Sequence, residues 1–215
     1  MSFATRSPQQ ARSARTQQRL LNATIEELAS SGYTELRTAA VAVRCGMSQG
    51  TVFAHFGTKV RLVVAAVQHY FAREVRVDRV TIDPGHAIEE RVWGLLEVMW
   101  EEMRSDAYLG VLEVYSAART NEELRLAMAP VAAGEIERAN AIGTRVFNSI
   151  AGSEPKRPTE ARYEELIATL VYTLQAAARE AATLGVLEMP LPLMRFLQAQ
   201  IVRELRAPGA PKERR

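Results

Sequence analysis

Cys45-Gly46-Met47-Ser48-Gln49-Gly50-Thr51-Val52-Phe53-Ala54-His55-Phe56 places two glycines four residues apart, with a serine between them, inside a chain whose apolar residues otherwise recur at helical spacing. A short helix over about Thr38 to Cys45 must stop at Gly46, which tolerates the left-handed backbone of a tight turn. Ser48 then stands where its hydroxyl can accept from the orphan N–H groups of a second short helix, and Gly57 closes that helix. Val41, Met47 and Val52 have the spacing to hold the corner, while Ala42 and Cys45 are small enough to let the helices approach. Two short helices set steeply across such a turn form a helix-turn-helix. The rival reading of the glycines alone is a plain loop, and the coincident packing set argues against it.

The outward side of the second helix then carries Gln49, Gly50, Thr51 and His55. These residues suit a nucleic acid: Gln pairs bidentately with adenine, Thr bonds a base or touches a thymine methyl, and Gly50 admits a close approach of the duplex. Amides beside Ser48 suit a phosphate, and Lys59 at the head of the next helix suits another. His55 reads as a phosphate contact, with an ordinary surface histidine as its rival. Charge agrees with a DNA partner. The net +2 of the chain divides into a basic first 80 residues and a mildly acidic remainder, as expected where only the N-terminal part meets a polyanion.

Helices are expected at about 14–30, 38–45, 48–56, 58–77, 86–104, 106–118, 121–151, 159–185 and 190–206, with Pro130 kinking or breaking the seventh. No alternating strand pattern and no repeat interrupts them, so the chain reads as all-α. No run of 18 apolar residues is present and the first residues lack the apolar core of a signal peptide, so the expected location is the cytoplasm and no membrane partner is expected. The single cysteine, Cys45, excludes an internal disulfide and a thiolate cage. His69 has no ligand at i+3 or i+4, and His86, although followed by Glu89 and Glu90, has no Cys or second His beside it to complete a tetrahedral set. No phosphate loop or nucleophile elbow appears, so neither metal, cofactor nor enzymatic activity is expected.

Gly32-Tyr33, Val41-Ala42, Cys45-Gly46-Met47-Ser48, Gly50-Thr51-Val52-Phe53, His55-Phe56 and Lys59 follow, without gaps, a pattern that resembles the N-terminal signature of the tetracycline-repressor (TetR) family of bacterial transcriptional regulators. The resemblance is detailed over roughly residues 14–75. It implies an N-terminal three-helix DNA-binding domain followed by a helical ligand-binding and dimerisation domain. Leu36-Arg37 stands where members often carry Thr-Thr or Thr-Ser, which removes a helix cap and leaves Arg37 to supply the phosphate contact by charge. Phe53 stands where tyrosine is usual, losing a phenolic hydrogen bond to phosphate. The DNA-binding set is therefore Arg37, Ser48, Gln49, Gly50, Thr51, Phe53, His55 and Lys59.

Domain limits follow: a tail over 1–13, the helix-turn-helix domain over 14–58, the ligand-binding and dimerisation domain over 59–206, and a tail over 207–215. Trp93, Met99, Trp100, Met103, Tyr108, Tyr115 and Phe147 are bulky and adaptable. Each by itself is an ordinary core residue, and together they suit the lining of an apolar cavity for a small-molecule effector. Leu166, Leu170, Leu174, Ala177, Ala181 and Leu184 form one stripe, and Phe196, Leu197 and Ile201 a second. They suit either packing within the subunit or the four-helix homodimer interface that the resemblance implies. The expected function is a repressor released from a near-palindromic operator when an apolar or amphipathic molecule binds. The alternative is a helical small-molecule carrier or interaction protein that keeps the helix-turn-helix shape without reading DNA.

Overall fold

A computed structural model describes residues 8–72, 83, 85–152, 158–186 and 188–207. Among them are nine helices and no strand: α1 (Pro8–Glu35), α2 (Thr38–Arg44), α3 (Gln49–Phe56), α4 (Lys59–Ala72), α5 (Ile88–Met103), α6 (Asp106–Ala118), α7 (Glu122–Ala151), α8 (Glu160–Leu184) and α9 (Leu191–Arg206). The chain divides into two compact units, Met1–Arg73 with Asp106–Ala132, and Glu74–Ser105 with Ala133–Arg215.

Two expectations change and one holds. Helix α1 begins at Pro8 rather than near Ala14, so residues 8–13 of the expected tail are helical; residues 1–7 and 208–215 lie outside the described residues, as do Val75, Val77 and most of the 153–158 linker. Gly32, at φ 68° and ψ 178°, breaks the helical backbone of α1, as its glycine leads one to expect, and a short helical turn follows to Glu35. Helix α7 runs on through Pro130. Proline withholds one N–H from the residue four positions earlier, here Leu126, a residue that is itself 60% exposed.

In the first unit α1 supplies the spine. Leu21, Ile25 and Leu28 repeat at three- to four-residue intervals and, with Leu20, are buried with Val41, Val52, Leu62, Val63, Val67, Val111 and Val114 in one apolar cluster. Thr24 is fully buried among them, and its hydroxyl donates to the Leu20 carbonyl at 2.7 Å, which removes the cost of an unpaired polar group. α6 lies close against α1. A Cβ at Gly110 would sit 2.7 Å from the carbonyl carbon of Leu28 and 2.9 Å from the Ala29 nitrogen. Only a residue without a side chain fits that crossing.

In the second unit α5 packs on α8 and α9. Val92, Leu96 and Trp100 of α5, Phe147 and Ile150 of α7, Leu170 and Leu174 of α8, and Met194 and Leu205 of α9 are buried. The Phe147 and Tyr163 rings stack at 5.8 Å, and the Tyr163 hydroxyl donates to Asn148 Oδ1. Thr159 caps α8 and Gly185, at φ 66°, closes it. Arg162 links α8 to Glu204 of α9, and Arg206 links α9 to Glu89 of α5.

Gly110→Ala should lower unfolding free energy by about 1–3 kcal/mol, because the clash is with backbone that cannot step aside. Gly134→Ala, where an added Cβ meets nothing within 4 Å, should raise it by roughly 0.5–1 kcal/mol through helix propensity. Urea melts of the two variants check this. Equal behaviour would disprove the tight α1–α6 crossing.

Candidate nucleic-acid interface

The corner between α2 and α3 is built by backbone hydrogen bonds before any side chain acts. Cys45 still has αR geometry, and Gly46 turns to φ 62°. The Gly46 N–H then donates to the Val43 carbonyl and the Met47 N–H to the Ala42 carbonyl, both at 2.9 Å. This paired closure satisfies two carbonyls that a helix end otherwise leaves open. A Cβ on Gly46 would touch nothing within 4 Å, so the demand for glycine is conformational and not one of space.

Two clamps hold the corner to α1. Arg19 Nη2 donates to the Cys45 carbonyl at 2.6 Å, and the Cys45 thiol returns to the Arg19 carbonyl at 3.4 Å. Burial pushes the Cys45 thiol pKa up, with the Arg19 charge opposing it; the thiol serves here as small filler. Above it, Arg44 Nε meets the nearly buried Glu27 carboxylate at 2.6 Å while Arg44 Nη2 reaches Ser30 Oγ at 3.0 Å. Sequence reasoning missed both clamps, since the partners are 26 and 17 residues apart.

Ser48 is extended and its hydroxyl accepts from the Thr51 N–H at 3.2 Å, capping α3. The two hydroxyls of Ser48 and Thr51 also pair at 3.0 Å. Gln49 Nε2 donates to Oγ1 of the buried Thr38 at 2.9 Å, which leaves its second amide hydrogen and its carbonyl oxygen for a ligand. Gln49, Gly50 and Phe53 are exposed; Thr51 and His55 are half-buried. A Cβ on Gly50 would meet only Ser48 Oγ, at an ordinary 3.6 Å, so nothing in the fold requires glycine there.

Arg37 occupies the N-cap of α2 with extended backbone and no side-chain cap, and it is exposed. Lys59 is less free. Its ammonium donates to the Thr34 carbonyl at 3.3 Å and lies 4.7 Å from the centre of the Tyr33 ring. Burial lowers its pKa and the Glu35 charge works the other way. Arg61, on the same first turn of α4, is exposed and was not singled out from sequence; its proximity to Lys59 was the available signal. Residues 36–61 hold Arg37, Arg44, Lys59 and Arg61 and no Asp or Glu.

This is the geometry of a helix-turn-helix, and comparison with known proteins agrees. The model for bacterial regulatory proteins of the tetR family matches residues 20–66. Residues 20–66 are a TetR-family N-terminal domain. Solved structures extend the likeness in fold to most of the chain. A putative TetR-family transcriptional regulator from Mesorhizobium loti is 20% identical, with a TM-score of 0.68 over 90% of this chain and 96% of that one. Salmonella enterica GusR is 16% identical, with a TM-score of 0.64 over 95% and 100%. The transcriptional regulator FadR from Bacillus subtilis, in complex with stearoyl-CoA, is 16% identical, with a TM-score of 0.61 over 87% and 98%. No curated protein matches the chain.

The residues expected beyond the TetR-family domain are distributed as follows. Met99, Trp100 and Met103 are buried on α5 and Phe147 on α7, whereas Trp93 is half-buried with its indole N–H on Glu97 Oε1 at 2.7 Å. Tyr108 and Tyr115 belong to α6 and so to the first unit, where Tyr108 lies 6.3 Å from the Tyr70 ring and 6.5 Å, edge-on, from Phe71. The expected dimer stripes divide as well. Leu170, Leu174, Leu197 and Ile201 are buried within the subunit and have little surface left for a second copy to cover. Leu166, Ala177 and Ala181 are half-buried. Phe196 is 60% exposed, Leu184, the last residue of the first stripe, is 68% exposed, and Tyr172, unforeseen, is 64% exposed. Among the described residues no single helix is long and apolar enough to cross a membrane.

Gly46→Ala should cost about 1–2 kcal/mol, the strain of an L-residue in left-handed backbone, and Gly46→Asn less. Thermal melts of both variants against wild type check the order; a stabilising alanine would contradict the corner geometry.

Proposed function

We propose that the chain is a ligand-responsive DNA-binding regulator of transcription, a homodimeric repressor that leaves a near-palindromic operator when a small apolar or amphipathic molecule binds. The observation that carries this reading is α3 itself: a capped helix beyond a corner held by two clamps, in a segment with no carboxylate where, Arg44 being paired with Glu27, the cations Arg37, Lys59 and Arg61 remain for a partner. The carrier alternative has no use for that charge bias. The helix-turn-helix of residues 14–58 meets DNA, with Arg37, Lys59 and Arg61 at phosphates, Gln49 and Thr51 at base edges, and Ser48, Gly50, Phe53 and His55 along the contact.

The helices of residues 59–206 hold the effector and pair the subunits. Met99, Trp100, Met103 and Phe147 remain the lining proposed for the effector. The kinship in fold with a FadR that holds stearoyl-CoA supports an amphipathic class of ligand. Tyr172, Leu184 and Phe196 offer the exposed apolar surface that a second copy would cover on α8 and α9. Pairing is needed because a two-fold reader spans half-sites about 34–36 Å apart. An effector that prefers the released state by ~100-fold shifts the balance by ~2.7 kcal/mol at saturation, enough to empty a site of moderate affinity.

Selection of bound genomic fragments by the purified protein tests the reading, and failure to enrich any fragment over random DNA would refute it. On the enriched fragment, Gln49→Ala and Thr51→Ala should each weaken binding by about 1–3 kcal/mol while leaving random DNA unaffected. Equal weakening on both would reassign them to the phosphate backbone. Lys59→Ala should weaken both DNAs alike and flatten the salt dependence by about one ion. Gly50→Ala should leave the melting temperature intact yet weaken binding, since its Cβ has room in the fold and none against a duplex; unchanged binding would remove Gly50 from the contact.

A further inference from the structure

Helix α3 exposes Gln49, Gly50, Phe53 and Ala54, with Gly57 just beyond its end, and buries Val52 and Phe56 on the opposite side. At 3.6 residues per turn these exposed positions form one stripe, with 49, 53 and 57 in one row and 50 and 54 beside it. Polar chemistry on this stripe is scarce. Gln49 sits at its beginning, with one amide hydrogen already committed to Thr38. The Thr51 hydroxyl is paired with Ser48, off the stripe and half-buried. The middle of the face therefore consists of a bare backbone, a phenyl ring and a methyl group. Phe53 is 45% exposed, and phenylalanine carries no hydroxyl to give to a phosphate.

Among the base edges of a major groove the 5-methyl of thymine is the one apolar group that projects; apart from the small C5–H of cytosine, the other groups there are donors or acceptors. An apolar stripe cannot pair with those polar groups, and pressing it against them leaves them without water. We propose that Phe53 and Ala54 select DNA by contact with thymine methyl groups, so that the half-site carries T·A pairs opposite the middle of α3 and hydrogen-bond readout is confined to Gln49 and Thr51 in the first turn. The cations and the absence of carboxylates over residues 36–61 supply the attraction that brings this stripe to a polyanion, and the methyl contacts supply the choice of sequence. The inference rests on the DNA-binding function proposed above and adds the group that is read.

Replacing deoxythymidine by deoxyuridine removes the methyl and leaves base pairing unchanged. On a genomic fragment enriched by the purified full-length protein, single uridine substitutions across each half-site should reduce affinity about fourfold for each contacted methyl. In Phe53→Ala or Ala54→Gly the same uridine should cause no further loss at the corresponding position. Phe53→Tyr, which keeps the ring, should retain the sensitivity, and melting curves establish that each exposed-site variant is folded. Cytosine to 5-methylcytosine at a neighbouring position is a second arm. Affinity gained there and lost in Phe53→Ala supports methyl contact as the physical basis. If every uridine substitution is harmless while the fragment is still bound specifically, the methyl inference is overturned and DNA binding stands. Sensitivity that persists unchanged in both Phe53→Ala and Ala54→Gly also overturns it, since the methyl would then act through duplex deformability. If no fragment is enriched, both fall.

Discussion

The reversal of the chain at Cys45 to Ser48 decides what α3 can present. Its two N–H···O=C closures are backbone features, available only because Gly46 accepts a left-handed conformation. Once the turn is set, Val52 and Phe56 have one place to go, into the cluster built on α1, and the residues between them are forced outward. The exposed face of α3 thus follows from burial on its other side. No separate interaction is needed to keep it turned to solvent.

Rigidity at this corner comes from charges used inside the fold. Arg19 and Arg44 are exposed or half-exposed along their stems, yet their head groups bind a carbonyl and a nearly buried carboxylate of the same unit. Removal of Arg44 would leave the nearly buried Glu27 carboxylate without its ion-pair partner, with the Ser31 hydroxyl 3.4 Å away, which makes the pair a positioning device more than a source of net stability. Within residues 36–61 that leaves Arg37, Lys59 and Arg61 as the cations suited to a partner, and Lys59 is partly held by Thr34 and Tyr33. A lysine already oriented loses less side-chain freedom on meeting a phosphate.

Most of the helical layout was legible in the sequence, because glycines, caps and apolar spacing act locally. Gly46, Ser48 and Gly57 mark their boundaries by mechanisms that need no tertiary information. What was not legible depends on partners distant in sequence. Pro8 to Ser13 read as tail because the segment is polar, with no apolar spacing to indicate helix. Leu170 and Leu174 read equally well as an interface or a core, and only the packing of α5 on α8 assigns them to the interior. Tyr172 escaped notice since a lone aromatic between buried leucines carries no periodic signal. Gly110 likewise looks idle in sequence, and its reason appears only where Leu28 crosses it.

Backbone amide hydrogen exchange of the full-length protein, free and bound to an enriched genomic fragment, tests the account most directly. Amides of Gln49 through Ala54 and the first turn of α4 should gain protection on DNA, with little change through α8. Protection confined to α5–α9, with α3 exchanging as in the free protein, would contradict the assignment of the outward face of α3 to DNA.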